Sequence, residues 1–265
     1  MSKGLLVHAF NNEQVNYVKQ AVSLAERARK YLNLPVSIIT DCDVPDVFDK
    51  VIKITKQGYT QKVYNNGTQA QQLTFKNNSR VLSYDLTPYD QTLMLDTDII
   101  ICDDTFKQCF VQQNDLLLYK DAYDLAQTRD YKEFLKISET SVDFYWATCV
   151  YFTKCKSNNI FFELLKHIEE NWQHYRMAYQ ILNQTYRNDF AFSIAIHIMN
   201  NHKLGSFVKP MPGKLFYTTD KDLLLDINET ELTFLLEDKN SKYFPMKTKD
   251  ITVHSMNKFC LEDLL

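Results

Sequence analysis

The sequence predicts an α/β fold with a mixed, mainly parallel sheet flanked by helices. Near the N-terminus a short apolar string, an amphipathic helical pattern and a second apolar string follow one another, an order typical of a parallel sheet covered by helices. The 265 residues are 45% hydrophobic and 24% charged, the usual balance of a globular protein with a substantial core. The chain shows no internal repeat, low-complexity tract or linker, so we expect a single domain over residues 1–265.

The first strand and the first helix are predicted at the N-terminus. Residues 4–10 form an apolar string that ends at a polar turn. Over residues 13–32 apolar side chains recur every three or four positions, which predicts an amphipathic helix. Asn11 and Gln14 stand three positions apart and resemble a capping box, so we expect the helix to begin there.

The remaining elements complete the predicted sheet and its helical cover. Residues 55–80 are polar, rich in Gln and Asn, and end in a predicted helical stretch. Long helices are predicted over about residues 159–175 and from Asp189 onward. Further strands are predicted at residues 36–40, 51–54, 92–95, 116–119, 149–152, 205–209 and 250–254.

Charge and composition limit the partners that we expect. A formal net charge of −3 gives the chain no general attraction to nucleic acid or to an anionic membrane. The apolar start is too short for a signal peptide, and no stretch approaches the roughly 18 apolar residues of a spanning helix. The six cysteines form no C-x-x-C pair, which favours reduced thiols. These features predict a cytoplasmic protein without a membrane segment.

Two carboxylates directly follow the strongly apolar string of residues 92–95. Asp96 and Asp98 form a D-x-D pair at the end of this predicted strand. Burying unpaired carboxylates is costly, so such a pair needs either solvent or a cation. Ligands of open α/β sheets bind at the carboxyl ends of the strands, where this pair is expected to lie. A hard divalent ion with oxygen ligands suits the pair, and it could also hold the two phosphates of a diphosphate.

The segment before this pair resembles the glycogenin-like family of GT-A glycosyltransferases and its bacterial and viral relatives. The pattern is Arg80-x3-Tyr84-x-Leu86-x2-Tyr89, followed after six residues by the D-x-D pair. The most specific part is L-T-P-Y-D-Q-T-L-M-L-D-T-D-I-I-I-C. The resemblance implies a GT-A (Rossmann-like) fold and transfer of a sugar from a nucleotide-diphosphate donor. It also implies that Arg80 stands where the family has a donor-contacting Lys.

The resemblance extends to the ends of the first two strands. The turn Ala9-Phe10-Asn11 matches the place where the family cradles the nucleotide. The resemblance therefore implies that Ala9, Phe10 and Asn11 contact the donor. Asp41 ends the second predicted strand and is a further donor-binding candidate on the same grounds.

Two later segments resemble the family's remaining site motifs. The family has a late strand followed by H-x-x-G-x-x-K, and His254 occupies the place of the metal-ligating His. Lys258, two residues early, is the candidate for the diphosphate-binding Lys, while Asn257 stands near the place of the Gly. Asp189 opens a predicted helix where the family carries an acidic residue facing the sugar. Helix capping alone would also explain an acidic residue at position 189.

The resemblance implies a concrete reaction. Asp98 and His254 would hold Mn²⁺, or Mg²⁺, on the donor diphosphate, with Asp96 between the metal and the ribose. Arg80 would offset phosphate charge, and an acceptor hydroxyl would attack the anomeric carbon. The family suggests retention of anomeric configuration without an obligatory enzyme base; if the reaction inverts, Asp189 is the candidate general base. A UDP-sugar is the commonest donor of the family, and the acceptor is a sugar, a protein or another hydroxyl group.

A basic stretch between residues 51 and 84 allows a second hypothesis for the acceptor. It holds no acidic residue, has interleaved aromatic side chains, and contains Lys53, Lys56, Lys62, Lys76 and Arg80. An ordinary solvated surface explains such a stretch. Alternatively, it attracts a polyanion, which is either the donor itself or DNA with a hydroxymethylated base as acceptor.

Three other functions are compatible with parts of this pattern, and two of them lack a motif that they require. A haloacid-dehalogenase-type phosphatase places D-x-D on its first strand and needs a later Gly-Asp, which this chain lacks. A sugar nucleotidyltransferase needs a Gly-rich phosphate loop after the first strand, and residues 9–13 contain no glycine. A non-catalytic module that binds a nucleotide sugar or a carbohydrate stays open as the alternative.

Overall fold

A computed structural model describes residues 1–55, 58–65, 69–76, 78–129, 134–139 and 142–265. Within these residues the α-helices are α1 (Tyr17–Arg27), α2 (Ser83–Leu86), α3 (Lys156–Glu170), α4 (Trp172–Ala178), α5 (Asn188–Met199) and α6 (Lys258–Leu264). A π-helical turn at Ala28–Leu32 continues α1, and 3-10 helices cover Asn78–Leu82 and Thr105–Phe110. The strands are β1 (Lys3–His8), β2 (Val36–Thr40), β3 (Lys50–Lys53), β4 (Thr60–Asn65), β5 (Ala70–Phe75), β6 (Gln91–Leu95), β7 (Ile99–Ile100), β8 (Leu116–Tyr119), β9 (Ala122–Asp124), β10 (Trp146–Thr153), β11 (Lys209–Pro210), β12 (Leu215–Thr218), β13 (Leu223–Asn228), β14 (Glu231–Glu237), β15 (Tyr243–Lys249) and β16 (Val253–Ser255).

The fold is α/β, with a mixed, mainly parallel central sheet flanked by helices, as predicted. Its strand order is β11-β8-β10-β6-β1-β2-β3. Strand β10 runs antiparallel to both of its neighbours, and the other four pairs are parallel. The buried side chains of β1, β2, β6, β8 and β10 form the centre of the core.

Three smaller sheets surround this centre. One has the order β7-β16-β12-β9 and is entered where the chain leaves β6. Strands β13, β14 and β15 form an antiparallel sheet, and β4 with β5 forms a separate hairpin. The described helices lack the length and apolar content that a bilayer crossing would require.

Helix packing follows from the apolar faces that the sequence displays. Ala21, Leu24 and Ala25 of α1 are fully buried, or nearly so, in the core. Helices α3 and α5 pack together through aromatic rings, with the Phe161 and Phe192 ring centroids 5.6 Å apart. The predicted helices over 159–175 and from Asp189 therefore exist, although the first is divided into α3 and α4.

The predicted capping box at Asn11 and Gln14 is wrong. Helix α1 begins at Tyr17, and its N-cap is Asn16, whose side chain accepts a hydrogen bond from the Lys19 N–H. Asn11 Oδ1 instead accepts from the backbone N–H of Val18 at 3.0 Å. The Asn-rich turn thus offers several side-chain oxygens to the helix start, and spacing alone did not identify the one that caps it.

Two other predictions need correction. Within residues 55–80 the described part of the chain forms the β4–β5 hairpin before the 3-10 helix, where only a polar segment with a helical end was predicted. Of the predicted strand at 205–209, only Lys209 lies in a strand, the two-residue β11 (Lys209–Pro210). The β13–β15 sheet was missed altogether; its strands are only partly buried and carry charged residues where the central strands are continuously apolar.

Candidate active site

The position of Asp96 and Asp98 results from the passage of the chain between two sheets. The Asp96 N–H donates to the Thr148 carbonyl at 2.9 Å, which extends the pairing of β6 with β10 by one residue. After the turn, β7 pairs with β16, where His254 lies opposite Ile99. The Ser255 N–H also donates to the Asp98 carbonyl at 2.9 Å. Backbone pairing therefore brings His254 beside the D-x-D pair.

The side chains of Asp96, Asp98 and His254 form a donor set that fits a divalent cation. One ligand atom from each lies within 4.8 Å of the other two. His254 Nδ1 is buried and has no hydrogen-bond partner among the residues that the structure describes, so one imidazole nitrogen is free of them. Two carboxylates and an imidazole suit Mn²⁺, and the carboxylates also suit Mg²⁺.

Each of the two carboxylates is paired with a cation. Arg80, on the 3-10 helix Asn78–Leu82, forms a salt bridge with Asp96 and donates from an Nη to the Ala147 carbonyl at 2.6 Å. Lys258 Nζ, in the first turn of α6, lies 2.6 Å from Asp98 Oδ2. His254 Nε2 lies 3.3 Å from the same oxygen. The D-x-D pair is thus neutralised by two side chains that come from distant parts of the chain.

Burial and charge oppose each other in these pairs. Burial raises the pKa of the Asp98 carboxyl, but Lys258 and His254 outweigh burial and hold this pKa far below its ordinary value. Burial lowers the pKa of the Lys258 amine, whereas Asp98 reverses the effect and raises it. Asp98 and Lys258 are therefore both ionised at neutral pH, as a pair of opposite charges at hydrogen-bond distance should be.

Asp189 lies on the same cavity, in the first turn of α5. Its Oδ1 accepts from the Ala147 N–H at 2.9 Å, and its Oδ2 lies 3.2 Å from an Nη of Arg187. The N-cap of α5 is Arg187, whose side chain makes no capping hydrogen bond, and Asp189 is already inside the helix. Capping therefore does not explain Asp189. The carboxylate instead connects α5 to the start of β10, next to the carbonyl that Arg80 binds.

A cavity of about 530 Å³ lies above these groups. This volume is in the range of pockets that bind small molecules. Acidic and basic side chains share its lining, with Asp96, Asp98, Asp189, Asp220, Lys62, Lys76, Arg80, Arg187 and Lys258 among them. The cavity opens at the end of β6, where the chain leaves a parallel part of the sheet, the usual place for ligands in open α/β sheets.

The other predicted donor-binding residues have mixed positions. Phe10 lines the cavity, whereas Ala9 and Asn11 are not among its lining residues. Ala9 is fully buried, and the Asn11 side chain bonds to the start of α1. Asp41 also lies outside the lining, but it binds Lys76 at 2.9 Å, and Lys76 does face the cavity.

The β4–β5 hairpin forms one wall of the cavity. The sequence analysis did not predict it as a structural element. Lys62, Tyr64 and Phe75 all face the cavity. The Tyr64 hydroxyl bonds to the Tyr17 hydroxyl at 2.6 Å, and the Asn12 side chain donates to the Thr74 carbonyl at 2.9 Å. These bonds attach the hairpin to the turn and helix that follow β1. The interleaved lysines and aromatic rings of residues 51–84 were the available signal for this wall.

Lys62 has an unusual environment. Its side chain keeps contact with solvent through the open cavity, yet dense protein walls surround it, and its Nζ lies 5.0 Å from the centroid of the Phe75 ring. Loss of solvation, followed by the positive charges of Lys258 and Arg187, lowers the pKa of Lys62 to about 7. The amine is therefore poised to gain a proton when an anion enters the cavity.

Two cavity residues carried no signal in the sequence, and one histidine proves structural. Arg187 and Asp220 lie in connecting segments without a motif, and Asp220 follows a strand that was not predicted. His8 lines the cavity, but its two nitrogens bond to the hydroxyls of Ser79 and Ser83 at 2.9 and 2.8 Å. Burial, and then the charge of Arg80, lower the pKa of His8 well below its usual value, so this imidazole is neutral.

Comparisons with known proteins give structural neighbours only. No protein-family model and no curated protein matches the sequence. The glycosyltransferase GlyE of Streptococcus pneumoniae TIGR4 is similar at a TM-score of 0.40 and 12% identity, over 79% of this chain and 45% of that chain. The galactosyltransferase LgtC, in complex with donor and acceptor sugar analogs, is similar at a TM-score of 0.45 and 12% identity, over 73% of this chain and 70% of that chain. An active-site mutant of LgtC gives a TM-score of 0.45 and 11% identity, over 82% and 72% of the two chains. The match to GlyE thus spans less than half of the GlyE chain.

Proposed function

We propose that this chain is a metal-dependent GT-A glycosyltransferase that takes its sugar from a nucleotide diphosphate, with UDP as the first nucleotide to test. The observation that supports it best is the donor set of Asp96, Asp98 and His254 at the floor of a cavity. The glycogenin-like motif that ends in this pair is the sequence support. We further propose that residues 1–265 form one such domain.

The proposed metal site uses the three donor side chains. Asp96, Asp98 and His254 would hold Mn²⁺ or Mg²⁺. When bound, such an ion supplies charge that offsets the negative charge developing on the leaving nucleoside diphosphate. Arg80 and Lys258 line the same cavity and add two positive charges near that position. Electrostatic stabilisation of a leaving group by preorganised charges of this kind is commonly a large part of catalysis.

The hairpin and the first helix would form the other side of the donor site. Lys62 faces the acids and bases of the cavity from the hairpin, and its ammonium form would attract a diphosphate. Phe10, Tyr17 and Phe75 provide aromatic surface on the same wall, which suits the flat faces of a nucleobase. We propose that the nucleotide lies against this wall with its diphosphate toward Asp98.

Asp189 is proposed to orient a sugar hydroxyl. Both of its oxygens already accept hydrogen bonds within the protein, which fixes the carboxylate in place and leaves further lone pairs for a ligand. A general base would have to accept the acceptor's proton from this fixed position. We propose the positioning role together with the retaining course that the resemblance to the glycogenin-like family implies; if the reaction inverts, Asp189 is the candidate general base.

Thermal unfolding with a panel of nucleotide sugars, with and without Mn²⁺, tests the proposal. A ligand at about 100 times its Kd stabilises the folded state by about 2.7 kcal/mol, so a true donor raises Tm measurably. In Asp98→Asn the metal-dependent part of this rise should disappear. Asp85→Asn is the matched control, since Asp85 also lies 2.6 Å from a lysine amine but is outside the cavity lining.

Turnover then separates an enzyme from a binding module. We expect slow, Mn²⁺-dependent hydrolysis of the stabilising nucleotide sugar, and analysis of the anomer of a transfer product distinguishes retention from inversion. If no nucleotide sugar shifts Tm under either condition, the proposed function is wrong. Stabilisation without any hydrolysis or transfer would instead favour the non-catalytic module.

A further inference from the structure

We infer that Lys258 is a built-in counter-ion of Asp98 that a divalent cation must displace, so that metal and nucleoside diphosphate bind cooperatively. The inference rests on the proposed function and concerns how the same site is loaded. In this inference Lys258 has two alternative partners, Asp98 in the empty site and the anionic ligand in the loaded site. The argument starts from the contacts of one carboxylate oxygen.

Asp98 Oδ2 is shared between the two side chains that the C-terminal segment contributes. Lys258 Nζ lies 2.6 Å from it and His254 Nε2 lies 3.3 Å from it. The side chains of Asp98, His254 and Lys258 are only 3%, 7% and 9% exposed. Because so little solvent reaches this oxygen, an ion that binds Asp98 and His254 together competes with the ammonium group for the same place.

The charges of the cavity oppose the binding of a divalent cation alone. Arg80 pairs with Asp96, Lys258 with Asp98, and Arg187 with Asp189. Each of these carboxylates thus has its own cation within the protein. A divalent cation alone therefore enters a site that is already neutral, and it must also leave the buried ammonium of Lys258 without its partner.

A nucleoside diphosphate removes this obstacle. Its negative charge offsets the added metal charge, and the released Lys258 amine, which lines the cavity, gains an anionic partner in exchange for Asp98. Each ligand should therefore raise the affinity of the other by the same factor, as thermodynamic linkage requires. Coupling of this kind commonly amounts to about 5- to 150-fold. The site would then stay closed to free metal and would load metal together with the donor.

Mn²⁺ binding without turnover tests the inference directly. The free Mn²⁺ concentration is followed by electron paramagnetic resonance, for the protein alone and with saturating UDP. In the wild-type chain we expect weak Mn²⁺ binding that UDP strengthens at least about fivefold. In Lys258→Met we expect Mn²⁺ alone to bind about tenfold more tightly, UDP alone to bind more weakly, and the enhancement by UDP to shrink.

Two further variants complete the comparison. Lys258→Arg keeps the charge and should resemble the wild type in its affinity for Mn²⁺ alone. Lys166→Met removes a lysine that lies 2.6 Å from Asp85, outside the cavity lining, and should change neither affinity. If Lys258→Met does not fold, Lys258→Gln gives the same loss of charge with a polar group near Asp98.

The outcomes separate this inference from the proposed function. Tighter binding of Mn²⁺ alone in Lys258→Met, with a smaller effect of UDP, supports the counter-ion role. If Lys258→Met binds Mn²⁺ no more tightly than the wild type while UDP still enhances binding in both, the inference is overturned and the proposed function stands. If UDP and Mn²⁺ bind to no variant, alone or together, both are overturned.

Discussion

The Asp98–Lys258 pair should contribute strongly to stability, and Asp98→Asn exposes that contribution. The substitution keeps the shape of the side chain but leaves the Lys258 ammonium, with its side chain only 9% exposed, without a carboxylate at 2.6 Å. Removing one partner of a buried ion pair costs about 3–5 kcal/mol. Domains are stable by about 5–15 kcal/mol, so the loss is a large fraction of the total. At this chain length it corresponds to a fall in Tm of roughly 6–20 °C.

Urea unfolding in the presence of EDTA, followed by tryptophan fluorescence, measures this loss without interference from metal. The double variant Asp98→Asn/Lys258→Met removes both charges and should recover most of the lost free energy, because no uncompensated charge stays buried. Asp85→Asn removes the carboxylate of a more exposed pair and should cost less than about 1 kcal/mol. The reasoning is refuted if Asp98→Asn loses no more than Asp85→Asn, or if the double variant is no more stable than Asp98→Asn.

Three further predictions concern other charged groups. Because the pKa of Lys62 is about 7, the affinity for UDP should weaken as pH rises from 7 to 9, and binding of UDP at pH 8 should take up protons. Titration calorimetry in two buffers should show both effects in the wild type and neither effect in Lys62→Met. Arg129 forms buried salt bridges with Asp124 and Asp222, at 2.5 and 2.8 Å. Arg129→Met should therefore lower the free energy of unfolding, measured in urea titrations, by about 3–5 kcal/mol. A loss below about 1 kcal/mol would contradict a stabilising role of these bridges. Since Lys62, Lys76 and Arg80 face the cavity, we expect the chain to show no salt-dependent affinity for duplex DNA. Fluorescence anisotropy between about 50 and 200 mM salt measures this affinity, and a steep loss of binding over this range would support the hypothesis of a DNA acceptor.

The structure shows where most of the lysines of the basic stretch, residues 51–84, lie. Lys76 is bound to Asp41, and Lys53 lies 3.3 Å from Asp43 at the surface. Lys56 lies outside the described residues. The positive charge of this segment is thus directed largely into the cavity, which fits the donor interpretation of the stretch better than a nucleic-acid surface.

The central sheet could be predicted because its strands are short, continuous apolar strings. Val36–Thr40 and Leu116–Tyr119 were predicted with the bounds that the structure gives, since every residue in them is buried. Strand β14 is only partly buried, with Glu231 and Glu237 at its ends, and does not resemble the continuously buried apolar strands. Local hydrophobicity therefore identified the centre of the fold but not the sheet that packs beside it.

The candidate site could be predicted to the extent that its residues stand in local motifs. Asp96 and Asp98 follow the apolar strand β6, and His254 lies in β16, so each was identifiable along the chain. That Lys258 lies against Asp98 across 160 positions depends on the pairing of β7 with β16. No property of the local sequence specifies that pairing. The facing hairpin is a local pairing of β4 with β5, and the interleaved lysines and aromatic rings were its one signal in the sequence.

The pairing of β7 with β16 also has a consequence for synthesis of the protein. Asp96 and Asp98 leave the ribosome more than 150 residues before His254 and Lys258 do. A nascent chain that has not reached residue 253 therefore lacks both the imidazole and the ammonium that Asp98 contacts in the finished protein. The proposed metal site can be assembled only after residues 253–258 have been synthesised, so we expect chains that stop before residue 253 to bind neither metal nor nucleotide there.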